Sequence, residues 1–344
     1  MKHLLNTLYV TTHGAYLARD GESVAVRVEQ ETKLHVPVRT IGGIVCLGSV
    51  MVSPPLMGLC AENGVAISFL TEQGRFLARV EGAVSGNVTL RREQYRRAES
   101  AEQSAALARS VVVGKIANCR NVLLRAARER EQVDEPGKRL TEAAARLAQI
   151  LDKLRRVPEL DVVRGYEGEA AAVYFGVFDD LIAAQRDSFR FDGRSRRPPL
   201  DKVNALLSFL YTLLVHDIRA ALESVGLDPQ VGYLHRDRPG RPSLALDLLE
   251  ELRPFLCDRL ALSLINRQQV QAAGFTIAEA GGVTMDDKTR KEVLVAYQKR
   301  KQEEITHPFI EEKIMVGLVP FVQAQLLARH LRGDIDGYPP FAWK

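Results

Sequence analysis

From the N-terminus to about residue 85, apolar and polar positions alternate in short runs, each closed by a turn signal. Residues 5–12 are apolar and β-branched, 15–19 follow His13-Gly14, and Asp20-Gly21 gives a tight turn into 23–28, where AVRV alternates. Residues 34–38 and 43–47 predict two further strands, and 65–70 with 75–80 a hairpin around Glu72-Gln73-Gly74. Residues 54–64, begun by Pro54 and ended by Gly64, predict a helix. Many short strands with turn signals point to a sandwich or a strongly twisted sheet. His3, His13 and His35 are isolated and read as structural or surface groups.

Near residue 88 the period changes to that of helices. Residues 88–132 are helical and basic, with Arg91, Arg92, Arg96, Arg97, Arg109, Lys115, Arg120, Arg125, Arg128 and Arg130. These charges read either as solvated faces paired to interleaved glutamates or, for a subset, as the lining of a DNA path. Asp134-Glu135-Pro136-Gly137 breaks the pattern, and a helix is expected over 138–156. After Val157-Pro158, a helix beginning near Gly165 places Glu167 in its first turn, where a dipole partner is as natural as a ligand. The alanines at 170–172 allow a neighbouring helix to approach closely. Residues 186–199 form a basic loop with Phe189 and Phe191 interleaved, a pattern suited to nucleic acid or to an ordinary surface loop. Residues 200–225 form a long apolar helix carrying Asn204, Ser208 and Tyr211. Helices are expected at 258–271, 289–306 and 308–331, with a β-like excursion at 273–289. The fold class is therefore α+β: a β-rich, sandwich-like domain over 1–87 and a mainly α-helical domain over 88–344.

Composition narrows the function classes. The chain is 46% hydrophobic and 26% charged, ordinary for a globular protein, and its net charge of +4 permits a nucleic-acid partner without demanding one. Cys46, Cys60, Cys119 and Cys257 form no C-x-x-C pair, which argues for buried thiols over a zinc knuckle or disulfide framework. With no signal-peptide pattern and no apolar run of the roughly 18–20 residues that cross a bilayer, a cytoplasmic protein and no membrane partner are expected. No Walker-type phosphate loop, dinucleotide fingerprint, nucleophile elbow or H-E-x-x-H zinc motif is present.

The richest stretch is 232–253, GYLHRDRPGRPSLALDLLEELR. It joins His235 to a loop with Arg236, Asp237, Arg238 and Arg241, then to a helix that Ser243 is placed to cap. Asp247 and Glu250 share one face of that helix, while Leu248, Leu249 and Leu252 face a core. An imidazole, carboxylates and guanidiniums suit a divalent metal and a phosphate held together. An ion-pair cluster of His235, Asp237 and the loop arginines accounts for the same residues equally well.

Three motifs resolve this alternative. G-Y-E-G-x-x-A-x-x-Y-F at 165–175, N-x-x-L-S-x-x-Y at 204–211 and G-Y-L-H…S-L-x-x-D-L-x-E-x-x-R at 232–253 resemble the CRISPR-associated integrase family, the universal adaptation protein of CRISPR systems, historically called an endonuclease. The resemblance covers essentially the whole chain, and the arginine-rich helices with the Y-P-P-F ending look most like the type I-C branch. It implies an N-terminal β domain that dimerises and a helical domain holding one divalent ion, Mg²⁺ or Mn²⁺, on Glu167, His235 and Glu250. Glu250 stands where some members of the family carry aspartate. Asp247 matches the first acid of the last motif, close to the metal and supporting it; Glu169 and Glu251 match no ligand position. Arg236, Arg238, Arg241, Ser243 and Asn204 are candidate DNA contacts. The implied partners are a duplex with 3′ overhangs, branched DNA, the CRISPR repeat, a second copy of the chain, and a small ferredoxin-like CRISPR protein in a heterohexamer. The implied reaction joins 3′-hydroxyls to phosphodiesters at the repeat borders by metal-dependent transesterification. A non-catalytic DNA scaffold and a hydrolase of small phosphoesters are the competing readings.

Overall fold

The computed structural model describes residues 7–71, 76–80, 82, 88–129, 134–155, 159–278 and 281–343. The turn expected at Glu72-Gln73-Gly74, the step at Val157-Pro158, His3, Arg75, Arg130 and Arg156 lie outside these residues, as does the N-terminal side of the expected 87/88 domain boundary.

The alternating N-terminal stretches fold as β1 (Thr7–Val10), β2 (Tyr16–Asp20), β3 (Ser23–Val28), β4 (Glu31–Pro37), β5 (Gly43–Leu47), β6 (Met51–Val52), α1 (Pro54–Glu62), β7 (Ala66–Leu70) and β8 (Phe76–Val80). They make two four-stranded sheets, ordered β1-β5-β7-β8 and β4-β3-β2-β6. In the first sheet β1, β5 and β7 run parallel and β8 antiparallel. The two-residue β6, too short to show a period, was not expected; it pairs in parallel with β2.

Strand β5 shows how the halves of the chain are joined. Ile44 and Cys46 point into a core shared with Leu17, Val24, Val26 and α1. Val45 and Leu47, on the opposite face, belong with Leu70 to the core of the helical part. A strand buried on both faces reads as a continuous apolar run, as GIVCL does.

The helical part comprises α2 (Val88–Glu99), α3 (Ala101–Glu129), α4 (Glu135–Leu154), α5 (Leu160–Gly176), α6 (Lys202–Ser224), α7 (Ser243–Arg253), α8 (Arg259–Asn266), α9 (Asp287–Lys301) and α10 (Val319–Arg332). Two hairpins interrupt it: β9 (Phe275–Ile277) with β10 (Val283–Met285), and β11 (Glu304–Thr306) with β12 (Lys313–Met315). Asp134, expected only to break a helix, caps α4 by accepting the Gly137 N–H at 2.7 Å. A π-helical turn, Pro254–Asp258, links α7 to α8.

Several expectations are corrected. The helical stretch expected over 88–132 is, in its described residues, two helices parted at Ser100. The helix expected from 308 starts only at Val319, because 313–315 pair with β11. Helix α6 is long and apolar enough to cross a membrane, contrary to the reading that no run is; yet 67% of its apolar window is buried inside the protein, where it is a core helix. Phe189 and Phe191 are buried and pack on Phe275 and on Phe175 and Phe178. These rings build the core and offer no stacking surface. All four cysteines are buried and free.

Candidate active site

The site forms where α3, α5, the 229–242 loop and α7 meet. Helix α5 begins five residues before Gly165, so Glu167 lies within the helix and not in its first turn. Its carboxylate is therefore free of the helix end and projects from the side of α5. Arg164, one turn earlier, donates from Nε to the Leu234 carbonyl at 2.7 Å and so ties α5 to the loop beside His235.

Asp247 organises that loop. Its carboxylate accepts the backbone N–H groups of Tyr233 (2.6 Å), Leu234 (3.0 Å) and His235 (3.0 Å), and lies 2.7 Å from His235 Nδ1. A carboxylate only accepts, so Nδ1 carries the proton and Nε2 is the ring nitrogen left to bind a ligand. Asp247 is 1% exposed. The chain approaches it closely at Gly232, where a Cβ would lie 2.8 Å from the Asp247 carboxylate and 2.7 Å from the Ser243 backbone. The G-Y-L-H…D pattern is thus one structural device: the glycine permits the approach, the aspartate collects three amides, and the histidine is set in one tautomer.

Glu250, one turn beyond, is buried between Lys115 Nζ (2.7 Å) and Arg253 Nη2 (2.8 Å). Burial would raise its carboxyl, but the charges of Arg253, Lys115 and His235 outweigh burial and hold it below the usual carboxylate range. Lys115 also pairs with Glu167, so one ammonium bridges the two glutamates. The Lys115 side chain is 1% exposed, whereas Glu167 and His235 are partly open to solvent. Sequence reasoning placed Lys115 among surface arginines and missed it.

Lys115 thus brings Glu167 and Glu250 together, and His235, held by Asp247 on the same helix as Glu250, lies near enough to act on the Glu250 carboxyl. Among the described residues, no three His, Cys, Asp or Glu side chains stand as a ready-made metal cluster. The donor set still fits a divalent ion. Glu250 Oε2 is buried and receives no well-directed hydrogen bond despite its two cationic neighbours, and an imidazole with two carboxylates is a suitable N,O,O set for a Mg²⁺- or Mn²⁺-like ion.

A second layer holds these groups. At Gly114 an added Cβ would meet Pro340 at 2.9 Å and Glu251 at 3.1 Å, so α3 packs directly against α7 and the C-terminal segment. Asn118, one turn from Lys115, donates to the carbonyls of Glu251 (2.7 Å) and Phe341 (2.8 Å). Glu251 accepts from Gln323 (3.1 Å), the Phe341 N–H (3.0 Å) and the Tyr338 hydroxyl, and burial pushes its carboxyl up to about 7. Asp258 accepts from Tyr211 (2.5 Å) and Tyr174 (3.1 Å), and burial pushes it up to about 6. Glu169, on the outer side of α5, pairs with Arg146.

Two candidate DNA contacts are corrected. Asn204 is fully buried; it accepts from Arg194 (2.6 Å) and the Ser195 N–H (3.1 Å), locking the 193–195 loop onto α6. Ser243 is also fully buried. It is the first residue of α7 and makes no capping bond; its hydroxyl donates to the Arg236 carbonyl at 3.3 Å. Arg236 and Arg238 are exposed and Arg241 half-exposed on the loop after His235. Arg236 pairs loosely with Asp161 (3.4 Å), and no side-chain ion pair holds Arg238 or Arg241 among the described residues.

Comparison with known proteins agrees with this architecture. The family described as CRISPR associated protein Cas1 matches residues 8–299. The CRISPR-associated endonuclease Cas1 1 of Chlorobaculum tepidum is 55% identical over 344 residues, all of both chains. That of Moorella thermoacetica is 49% identical, again over all of both. Among solved structures, the Cas1 protein of Thermotoga maritima has a TM-score of 0.82 at 23% identity, covering 98% of this chain and 100% of that one. A casposase bound to integration product has a TM-score of 0.82 at 21% identity, covering 98% and 94%. These two show the shared fold. On the family match and the full-length relatives, this chain belongs to the CRISPR-associated Cas1 family.

Proposed function

We propose that the protein is a metal-dependent DNA endonuclease and integrase of CRISPR adaptation, of the type I-C branch. The observation that carries this reading is that Glu167 of α5 and Glu250 of α7 meet at one place, partly open to solvent, with His235 of the preceding loop fixed by Asp247 and close enough to act on Glu250. Glu167, His235 Nε2 and Glu250 would hold the divalent ion. When bound, that ion supplies Lewis-acid polarisation of a phosphoryl oxygen.

The chain's own residues do the rest. Asp247 keeps the imidazole in the Nδ1–H tautomer. Arg236, Arg238 and Arg241 border the site and grip the phosphodiester backbone on either side of the reacting phosphate. A DNA 3′-oxygen attacks the phosphorus as its hydroxyl loses a proton. The bond from phosphorus to the departing 3′-oxygen breaks, and that oxygen gains a proton. Water in place of the 3′-hydroxyl gives cleavage, so branched-DNA nuclease activity is the same displacement. The partners under this reading are a second copy of the chain and a small ferredoxin-like CRISPR protein in a heterohexamer. Relatives named as endonucleases and the presence of Cas1 in a Cas6-RT-Cas1–Cas2 complex support it.

The test compares cleavage of branched DNA with hydrolysis of a nitrophenyl phosphate ester, each with Mg²⁺, Mn²⁺ or EDTA. Metal-dependent cleavage of branched DNA alone is expected. Turnover of the small ester alone would replace this reading with a small-phosphoester hydrolase.

A further inference from the structure

Lys115 is placed in a way the proposed chemistry does not use. It lies on the apolar stripe of α3 with Val111, Val112, Ile116 and Cys119, all buried. A lysine there is tolerated only if its charge is met, and two carboxylates from different helices meet it. Lys115 is the ion-pair partner that holds Glu167 among the described residues. Glu250 has Arg253 as well. The carboxylates of Glu167, Asp247 and Glu250 outnumber the ammonium of Lys115 and the guanidinium of Arg253 by one. The ammonium therefore brings together two acids that would otherwise repel each other, and it stands between the same two acids that the proposed metal needs.

We infer that Lys115 is a built-in counter-cation: it holds Glu167 and Glu250 as a preassembled ionised pair and leaves that seat when a divalent ion takes it. The inference rests on the metal-dependent reading of this site. A dication and an ammonium sharing two carboxylates a few ångströms apart repel each other strongly at the intermediate dielectric of such a site. Metal affinity is then set by an exchange of cations, and Lys115 is a positioning residue that tunes it. The device keeps the acid pair assembled between rounds of metal loading.

The experiment measures Mn²⁺ affinity by titration calorimetry, and melting temperature in EDTA and in saturating Mn²⁺, for the full-length wild type and Lys115→Met. Methionine keeps the length and apolar stem and removes the charge. The variant is expected to bind Mn²⁺ more tightly, by on the order of tenfold or more. It should melt lower than wild type in EDTA and gain more from Mn²⁺. A folded Lys115→Met with equal or weaker Mn²⁺ binding overturns the inference.

A second measurement needs no variant. Acetylation of Lys115 in the wild type, read by mass spectrometry of its peptide, is expected to rise several-fold on Mn²⁺ saturation; unchanged labelling overturns the inference. Failure of the underlying reading looks different: wild type would show no Mn²⁺ binding, or binding that survives Glu167→Gln and His235→Ala.

Discussion

Asp247→Asn removes one charge and no volume, and the structure states what it should cost. The carboxylate accepts three backbone N–H groups and the His235 Nδ1–H, and it is shut away from water. An asparagine has one accepting oxygen and one donating nitrogen, so neither orientation satisfies the site. With the oxygen toward His235, the N–H groups of Tyr233 and Leu234 face an NH₂. With the oxygen toward those two, the NH₂ meets the His235 N–H and turns Nδ1 into an acceptor, moving the ring proton to Nε2. Each stranded donor costs about 1–3 kcal/mol, and hydrogen bonds to a charged acceptor are themselves worth about 1.5–3 kcal/mol. The expected loss is on the order of 3–5 kcal/mol, which for a chain of 344 residues lowers the melting temperature by roughly 4–7 °C. The assay is denaturant unfolding paired with Mn²⁺ titration, since the second orientation blocks the nitrogen proposed to bind the metal and losses of about 10–100-fold in metal affinity are typical when such a partner is removed. Stability within about 1 kcal/mol of wild type, with unchanged Mn²⁺ binding, would refute the assignment of Asp247 as the organiser of the loop.

Other outcomes follow from the same geometry. Gly232→Ala drives a Cβ into Asp247 and the start of α7; a loss of about 1–3 kcal/mol with weakened Mn²⁺ binding is expected, measured as above. Removing residues 338–344 leaves Glu251 buried without its Tyr338 and Phe341 donors; destabilisation of about 3–5 kcal/mol is expected in denaturant unfolding, and a chain that keeps wild-type stability would contradict the packing described. Glu251 has a folded pKa of about 7, above its ordinary 4.5, so its neutral form is favoured by folding. That contribution is complete below about pH 4 and is lost as pH rises toward 7. Relative to wild type, Glu251→Gln should therefore gain stability between pH 4 and 8, by on the order of 3 kcal/mol; a difference that is flat or falls with pH would contradict it. Arg238→Ala and Arg241→Ala should each weaken DNA binding independently of sequence and reduce the slope of log affinity against log salt by about 1, and an unchanged slope would remove that arginine from the interface.

The sequence made the β-to-α order and most strands legible, because period-two alternation and Asp20-Gly21-type turns are local signals. It misplaced what tertiary packing decides. Glycines at 165 and 168 suggested a helix start, yet α5 runs through both, since a helix packed on α3 and α4 tolerates them. Phe189, Phe191, Asn204 and Ser243 looked available to DNA, but burial cannot be read from residue type in a loop or at a helix end. Two of the three proposed metal ligands, His235 and Glu250, lie within one short segment and were visible there; Glu167 was joined to them only by resemblance. Lys115 was hidden by the arginines around it. A signal was present nonetheless: spacings of three and four from Val111, Val112 and Cys119 put it on the apolar stripe, where a lysine implies buried carboxylates.

The central claim is that Glu167, His235 and Glu250 together perform DNA strand transfer. It is tested most directly by incubating the protein and the small ferredoxin-like CRISPR protein proposed as its partner with a 3′-overhang duplex and a supercoiled plasmid carrying a repeat array. Wild type is compared with Glu167→Ala, His235→Ala and Glu250→Ala. The account predicts joining by wild type that is abolished by EDTA and in all three variants, while the variants still bind DNA. Joining that persists in a folded variant would contradict the site assigned here.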